Sequence, residues 1–294
     1  CRIGIPFLMN RFMTEDFCKA QDPDAPAPVY IDYGLDFLKG RTYTKPGDVV
    51  IIGGYPSDGK TALALQMAYR MAQDHRVGFF SLETDKAKIR DRLMAAVVQI
   101  DFDRIKTRSL TEDDWRAFAE KSADMAGRGL TVVEASGMTA TTIQSVSQAY
   151  GFDVIFLDYI QLVTPEIDQR APRSEQMAAV SRQLHTFAQK SGTLVVELAQ
   201  LSRPDKVAGW RAPVMSDLKE SGQFEQDADM IFMVYRPDPK AKDGPELDQN
   251  KHRVLKIAKN KEGPRGAWYM VFDGPKQTFS LLVNPDGRSV MRQF

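Results

Sequence analysis

The chain has 294 residues and 33.0 kDa, with 43% apolar and 27% charged residues, which is ordinary globular usage and favours neither a disordered nor a membrane chain. Lys+Arg and Asp+Glu are equal at 39 each, so a polybasic binder is excluded and any nucleic-acid surface must be a local patch. No apolar run approaches the roughly 18 residues of a membrane span, and Cys1 and Cys18 alone, without C-x-x-C spacing, exclude a disulfide framework or a four-cysteine zinc site, pointing to a reduced, soluble, cytoplasmic protein with no membrane partner.

In chain order, residues 1–30 read as an N-terminal appendage or linker and residues 31–294 as the main domain. The apolar stretch 3–9 is too short for a secretory signal and is interrupted by Asn10-Arg11. A start at Cys1 rather than Met fits a fragment whose N-terminal domain has been lost. The Pro-rich stretch 22–28 cannot continue a helix and reads as a hinge. Short apolar runs follow at 49–52, 77–80, 130–133, 154–157, 194–196 and 230–234. They are continuous rather than alternating, the pattern of parallel strands buried on both faces. Between them, 62–72, 86–98, 112–126, 141–150 and 175–190 carry helical apolar spacing, and Thr111 before Glu112-Asp113-Asp114 reads as an N-cap with acidic residues facing the helix dipole. Polar, proline-containing 237–252 reads as a mobile loop. The tail at 253–257, 267–272 and 279–283, broken by Gly and Pro turns, predicts an antiparallel meander added to the sheet. The fold class is α/β, a mostly parallel central sheet flanked by helices with an antiparallel C-terminal extension.

Two strand ends carry chemistry, and two more are candidates. Gly54-Tyr55-Pro56-Ser57-Asp58-Gly59-Lys60-Thr61 fits G-x-x-x-x-G-K-[ST] between a buried strand and a helix. Glycines let backbone N–H groups close around phosphates, the lysine reaches the β- and γ-oxygens, and the hydroxyl serves Mg²⁺. A carboxylate in an anion loop is unfavourable, so Asp58 is expected to face outward. The run 154–157 ends in Asp158, placed to hold Mg²⁺ through water. The run 77–80 leads to Glu83, which either caps the next helix or orients and deprotonates the water that attacks the γ-phosphate. The run 194–196 leads to Gln200, either a γ-phosphate sensor or a satisfied polar residue at a strand end. His75, His185 and His252 lack ligand spacing, and Trp115, Trp210 and Trp268 read as packing residues.

These motifs in this order resemble the motor domain of DnaB-type replicative helicases, which has a RecA-like core. The resemblance covers roughly residues 45–285. Its most specific blocks are Asp158-Tyr159-Ile160-Gln161 and Ser216-Asp217-Leu218-Lys219-Glu220-Ser221-Gly222, joined by Ser81-Leu82-Glu83, Ala199-Gln200-Leu201-Ser202-Arg203, Glu225-Gln226-Asp227-Ala228-Asp229 and Lys259-Asn260-Lys261-Glu262-Gly263-Pro264. It implies a hexameric ring that hydrolyses ATP at subunit interfaces, moves on single-stranded DNA, and works with a primase or helicase loader. Gly54, Ser57, Asp58, Gly59, Lys60, Thr61 and Ala62 would hold the nucleotide, with Thr61 and Asp158 on Mg²⁺. Glu83 would be the catalytic base and Gln200 the γ-phosphate sensor, while Arg92, nine residues after Glu83, would line the pocket. Lys219, Glu220 and Gly222 would form a DNA-tracking channel loop, and Lys259 and Lys261 would reach the neighbouring subunit's ATP site.

The chain departs from that pattern in a helical N-terminal domain that is missing or was cut away, in Lys219 for the usual channel-loop arginine, and in Lys261 for the expected arginine finger. The last change keeps the charge and loses the planar fork. From 251 to 294 nine basic side chains face three acidic ones, an excess of six that suits a DNA-facing patch or a solvated face. The alternatives are a RecA/RadA-like recombination or repair ATPase and a non-motor ATP-binding ring scaffold.

Overall fold

The computed structural model describes residues 28–168, 170–202, 210–218, 222–239, 247–283 and 289. The chain divides into two compact units, Cys1–Tyr30 and Ile31–Phe294, and the second holds every strand and helix named below. The 3–9 stretch, the hinge apart from Pro28, Arg203, Lys219, Glu220, Ser221 and loop residues 240–246 lie outside the described residues.

Strand β1 (Val49–Gly54) leads into helix α1 (Lys60–Met71), and β2 (Val77–Ser81) into α2 (Lys86–Val98). The short α3 (Phe102–Thr107) and the longer α4 (Glu112–Gly127) precede β3 (Leu130–Glu134); α5 (Ala140–Tyr150) precedes β4 (Val154–Asp158). Helix α6 (Arg173–Ser191) runs to β5 (Leu194–Gln200), and α7 (Gly222–Asp227) to β6 (Met230–Tyr235). The chain then returns through β7 (His252–Asn260), β8 (Gly266–Asp273) and β9 (Thr278–Leu281). Among the described residues one nine-stranded sheet has the order β3-β2-β4-β5-β1-β6-β7-β8-β9. The first six of these strands pair in parallel, and β7 to β9 add on antiparallel, so the meander read from the tail extends the sheet.

The continuous apolar runs follow from burial on both faces. Val50 and Ile52 pack with Leu63 and Met67 of α1 on one side, while Val49 and Ile51 pack with Val180 and Leu184 of α6 on the other. The β3 run departs from that expectation. It is the edge strand, and its residues are half-buried, with Glu134 exposed. The α4 cap forms as read: the Thr111 hydroxyl accepts from the Asp114 N–H at 3.2 Å, and the Asp114 carboxylate accepts from the Thr111 N–H at 2.9 Å. Trp115 is a correction. It is 58% exposed, because α4 lies on the outside and Asp114 is its buried residue, whereas Trp268 is buried in the core.

Candidate functional site

Parallel strands deliver their following loops to one edge of the sheet, and that edge is where crevices form. The loops after β1, β2, β4 and β5 meet there around a cavity of about 550 Å³. Ser57, Gly59, Lys60, Thr61 and Ala62 line it from the first loop, Glu83 and Arg92 from the second segment, and Asp158 and Gln200 from the third and fourth.

The first loop closes with a turn in which the Asp58 N–H donates to the Tyr55 carbonyl at 3.3 Å. Ser57 and Gly59 both take left-handed backbone, at φ 67° and 95°. Gly59 is also crowded: a Cβ there would stand 2.7 Å from the Phe279 ring. At Gly54 a Cβ would lie 2.8 Å from both Lys60 Cγ and the Val234 carbonyl. Both glycines are therefore fixed by space. Gly59 is the N-cap of α1, with no side-chain acceptor for the helix's first N–H groups, so these remain available to an anion.

Lys60 donates from Nζ to the Gly54 carbonyl at 2.8 Å. Burial lowers the pKa of its ammonium, opposed by the nearby Asp158, Asp58 and Glu83 carboxylates. The Thr61 hydroxyl donates to Asp158 Oδ2 at 2.8 Å. Two hard oxygen donors thus stand side by side. That pair suits Mg²⁺, which takes one or two carboxylates plus phosphate oxygens and water rather than an all-protein cage. Burial raises the Asp158 pKa, while Thr61 and Lys60 pull it back.

Glu83 is not the cap of α2. Asp85 caps that helix, accepting from the Lys88 N–H at 2.9 Å, which leaves Glu83 exposed at the cavity mouth. Asp58 corrects a second expectation. It does not face outward; it is 3% exposed and turned into the protein, where Oδ1 accepts from Arg236 Nε at 3.2 Å. It is not among the cavity-lining residues. Gly54 likewise contributes only its carbonyl to Lys60.

Lys259 and Lys261 also stand outside this cavity. Lys259 Nζ donates to the Glu225 carbonyl at 2.6 Å, and Lys261 Nζ pairs with Asp229 Oδ1 at 2.6 Å. Gly222 is exposed at the start of α7. Among the tail's basic residues Arg253 is 3% exposed and Lys259 and Lys261 bind their own chain, while Arg288 and Arg292 lie outside the described residues.

Sequence reasoning missed further participants. Phe272 and Gln277 line the cavity from the β8–β9 hairpin, and no local motif marks them because the returning meander brings them there. Lys88 also lines it; its place one helical turn before Arg92 was the available signal. Gln161 clamps the end of β5, its Nε2 donating to the Gln200 carbonyl and its Oε1 accepting from the Gln200 N–H, both at 3.3 Å.

A family model described as the DnaB-like helicase C-terminal domain matches residues 35–281. The replicative DNA helicase DnaC of Bacillus subtilis (strain 168) is 32% identical over 248 residues, 82% of this chain and 53% of that protein. The replicative DNA helicase DnaB of Haemophilus influenzae is 33% identical over 262 residues, 84% of this chain and 54% of that protein. The chain thus spans about half the length of the curated relatives it matches. Among solved structures, a DnaB-like replicative helicase described with its interactions with primase gives a TM-score of 0.80 at 28% identity, covering 92% of this chain and 66% of that one. The ATPase domain of G40P gives 0.79 at 28% identity, covering 92% and 97%. These neighbours share the RecA-like fold class of the sheet described above.

Proposed function

The chain belongs to the DnaB-like helicase C-terminal domain family, and from that premise we propose that it is the ATP-hydrolysing motor of a replicative DNA helicase, moving on single-stranded DNA as a hexameric ring in the cytoplasm. The observation that carries this reading is the convergence of the phosphate loop, Glu83, Arg92, Asp158 and Gln200 on one cavity.

The N–H groups of Gly59, Lys60, Thr61 and Ala62 cradle the phosphates, with Ser57 beside them. Lys60 exchanges its Gly54 carbonyl for phosphate oxygens. Mg²⁺, held through Thr61 and Asp158, supplies neutralising charge when bound. Glu83 holds the attacking water and takes its proton at a carboxylate oxygen. Gln200 faces the γ-phosphate from the end of β5, its backbone fixed by Gln161.

The same strand end supports a link to DNA. Leu201 bridges Leu218, and the Ser202 N–H donates to the Asp217 carbonyl at 2.8 Å. Leu218, which precedes the proposed DNA-contact segment in the chain, therefore pairs with the residue that follows Gln200. Lys219, Glu220 and Gly222 are the proposed DNA contacts; Gly222 is the described one of the three. Lys259 and Lys261 act on the neighbouring subunit's nucleotide. For Lys261 this requires leaving Asp229, at a cost of about 0–1 kcal/mol for a pair this exposed. A primase or a loader is the proposed further partner.

The test separates binding from turnover. Lys60→Ala weakens ATP binding at least about tenfold, because charge-assisted contacts to ground-state phosphates are lost. Glu83→Gln binds ATP like the wild type and does not hydrolyse it. Unchanged ATP affinity in Lys60→Ala, or near-normal turnover in Glu83→Gln, overturns the assignment.

A further inference from the structure

Arg253, on β7, is a charged side chain with 3% exposure that no motif accounts for. Its Nε donates to the backbone carbonyl of Asp58 at 3.1 Å. Nη1 donates to the carbonyls of Gln249 and His252, each at 2.7 Å, and the guanidinium lies over the Phe272 ring at 5.3 Å. A planar fork held at this many points has one orientation. The acceptor it holds lies inside the phosphate loop, one peptide before Gly59.

The Asp58–Gly59 peptide is trans. In a trans peptide the C=O and the next N–H point in opposite directions. With the Asp58 carbonyl held by Arg253, the N–H of Gly59 is turned away from Arg253, and Gly59 lines the cavity whereas Asp58 and Arg253 do not. The loop needs such help at this point. Asp58 follows Ser57 at φ 67° and precedes Gly59 at φ 95°, and glycine's freedom leaves that peptide plane free to rotate unless something holds it. The Asp58 carboxylate acts separately from its carbonyl, pairing with Arg236 and lending counter-charge to Arg253 as well.

We propose that Arg253 is a positioning residue of the phosphate loop, holding the Asp58 carbonyl so that the Gly59 N–H is aimed at a phosphate of the bound nucleotide. This rests on the nucleotide-binding reading given above. It places part of the phosphate site's geometry in the C-terminal meander, 195 residues along the chain from Asp58.

The experiment is equilibrium binding of a fluorescent ATP analogue and of ADP, with inorganic pyrophosphate as a competitor, well below each variant's thermal midpoint. Arg253→Met loses about tenfold in affinity for all three probes, the scale of one hydrogen bond to a charged group. Arg253→Lys stays close to the Met value, because a point charge cannot reproduce the fork. Asp58→Asn keeps the backbone carbonyl and removes a negative charge, so its affinity is unchanged or tighter. A loss in Arg253→Met without a loss in Asp58→Asn separates peptide orientation from an ordinary ion pair.

Wild-type affinity in Arg253→Met, full rescue by Arg253→Lys, or an equal loss in Asp58→Asn overturns the proposal. Should Arg253→Met fail to fold, Arg253→Lys against Asp58→Asn decides on the same criteria. A wild-type protein that binds none of the probes overturns the nucleotide-binding reading itself, and this proposal with it. A wild type that binds, with Lys60→Ala weakened and Arg253→Met not, overturns this proposal alone.

Discussion

At Gly59 two independent constraints meet: a left-handed backbone at φ 95° and a Phe279 ring 2.7 Å from where a Cβ would stand. Gly59→Ala therefore has to shift the loop or the ring. We expect it to cost roughly 1–2 kcal/mol for the backbone alone, with further loss from overpacking, and to weaken ATP binding. A thermal midpoint and an ATP affinity both equal to wild type would contradict the crowding. The meeting of Lys60, Thr61 and Asp158 at one cavity was legible in the sequence because they sit at fixed places at the ends of buried strands. Asp58 was misread for a physical reason. A carboxylate can avoid an anion by facing water or by turning inward to cations, and its cations, Arg236 and Arg253, come from segments far along the chain. Phe272 and Gln277 were invisible for the same reason.

Within the elements, β5 carries an unexplained buried carboxyl group. Glu197 is fully buried between β1 and β4, and neither carboxylate oxygen has a hydrogen-bond partner. Burial, with Asp227 nearby, pushes its carboxyl up to about 8 from an ordinary 4.5. Between those values the folded chain keeps a proton that the unfolded chain has released, so this residue makes stability fall as pH rises. The slope is at most about 1.4 kcal/mol per pH unit and vanishes below the lower value and above the upper one. Glu197→Leu should remove that component and raise the thermal midpoint more at about pH 7.5 than at about pH 5.5. An equal change at both pH values would show that Glu197 is ionised in the folded chain. The long elements were legible because continuous apolar runs and helical spacing report burial. The short α3 and α7 were not, since six residues hold too little periodicity. Edge position also leaves no mark on a run such as 130–133, whose Leu130 and Val132 pack on one face and Val133 on the other although the strand lies at the sheet's margin.

At the scale of the whole molecule, the proposed mechanism requires neighbouring copies. Lys261 is 47% exposed and paired with Asp229 away from its own cavity, so its proposed action is on the next subunit. Lys261→Ala should hydrolyse ATP poorly and Lys261→Arg at least as fast as wild type, since an arginine finger contributes roughly 10³–10⁵ in rate and a lysine lacks its fork. Mixing Lys261→Ala with Glu83→Gln subunits should restore part of the activity if the residue acts across the interface. No recovery, with mixed rings confirmed by mass, would place it within its own subunit. Lys219→Ala should weaken single-stranded DNA binding about equally for all sequences and shallow the salt slope by roughly one unit; a sequence-dependent loss would count against a backbone contact.

Everything proposed for this motor turns on ATP hydrolysis in the cavity being coupled to single-stranded DNA. The decisive measurement is the steady-state ATP hydrolysis rate with and without single-stranded DNA, on a sample whose mass in solution is measured in parallel. We expect an assembly larger than one chain whose hydrolysis rises on adding DNA, with Glu83→Gln silent in both conditions. An assembly that binds ATP and DNA yet hydrolyses at the same rate with and without DNA would contradict the coupling.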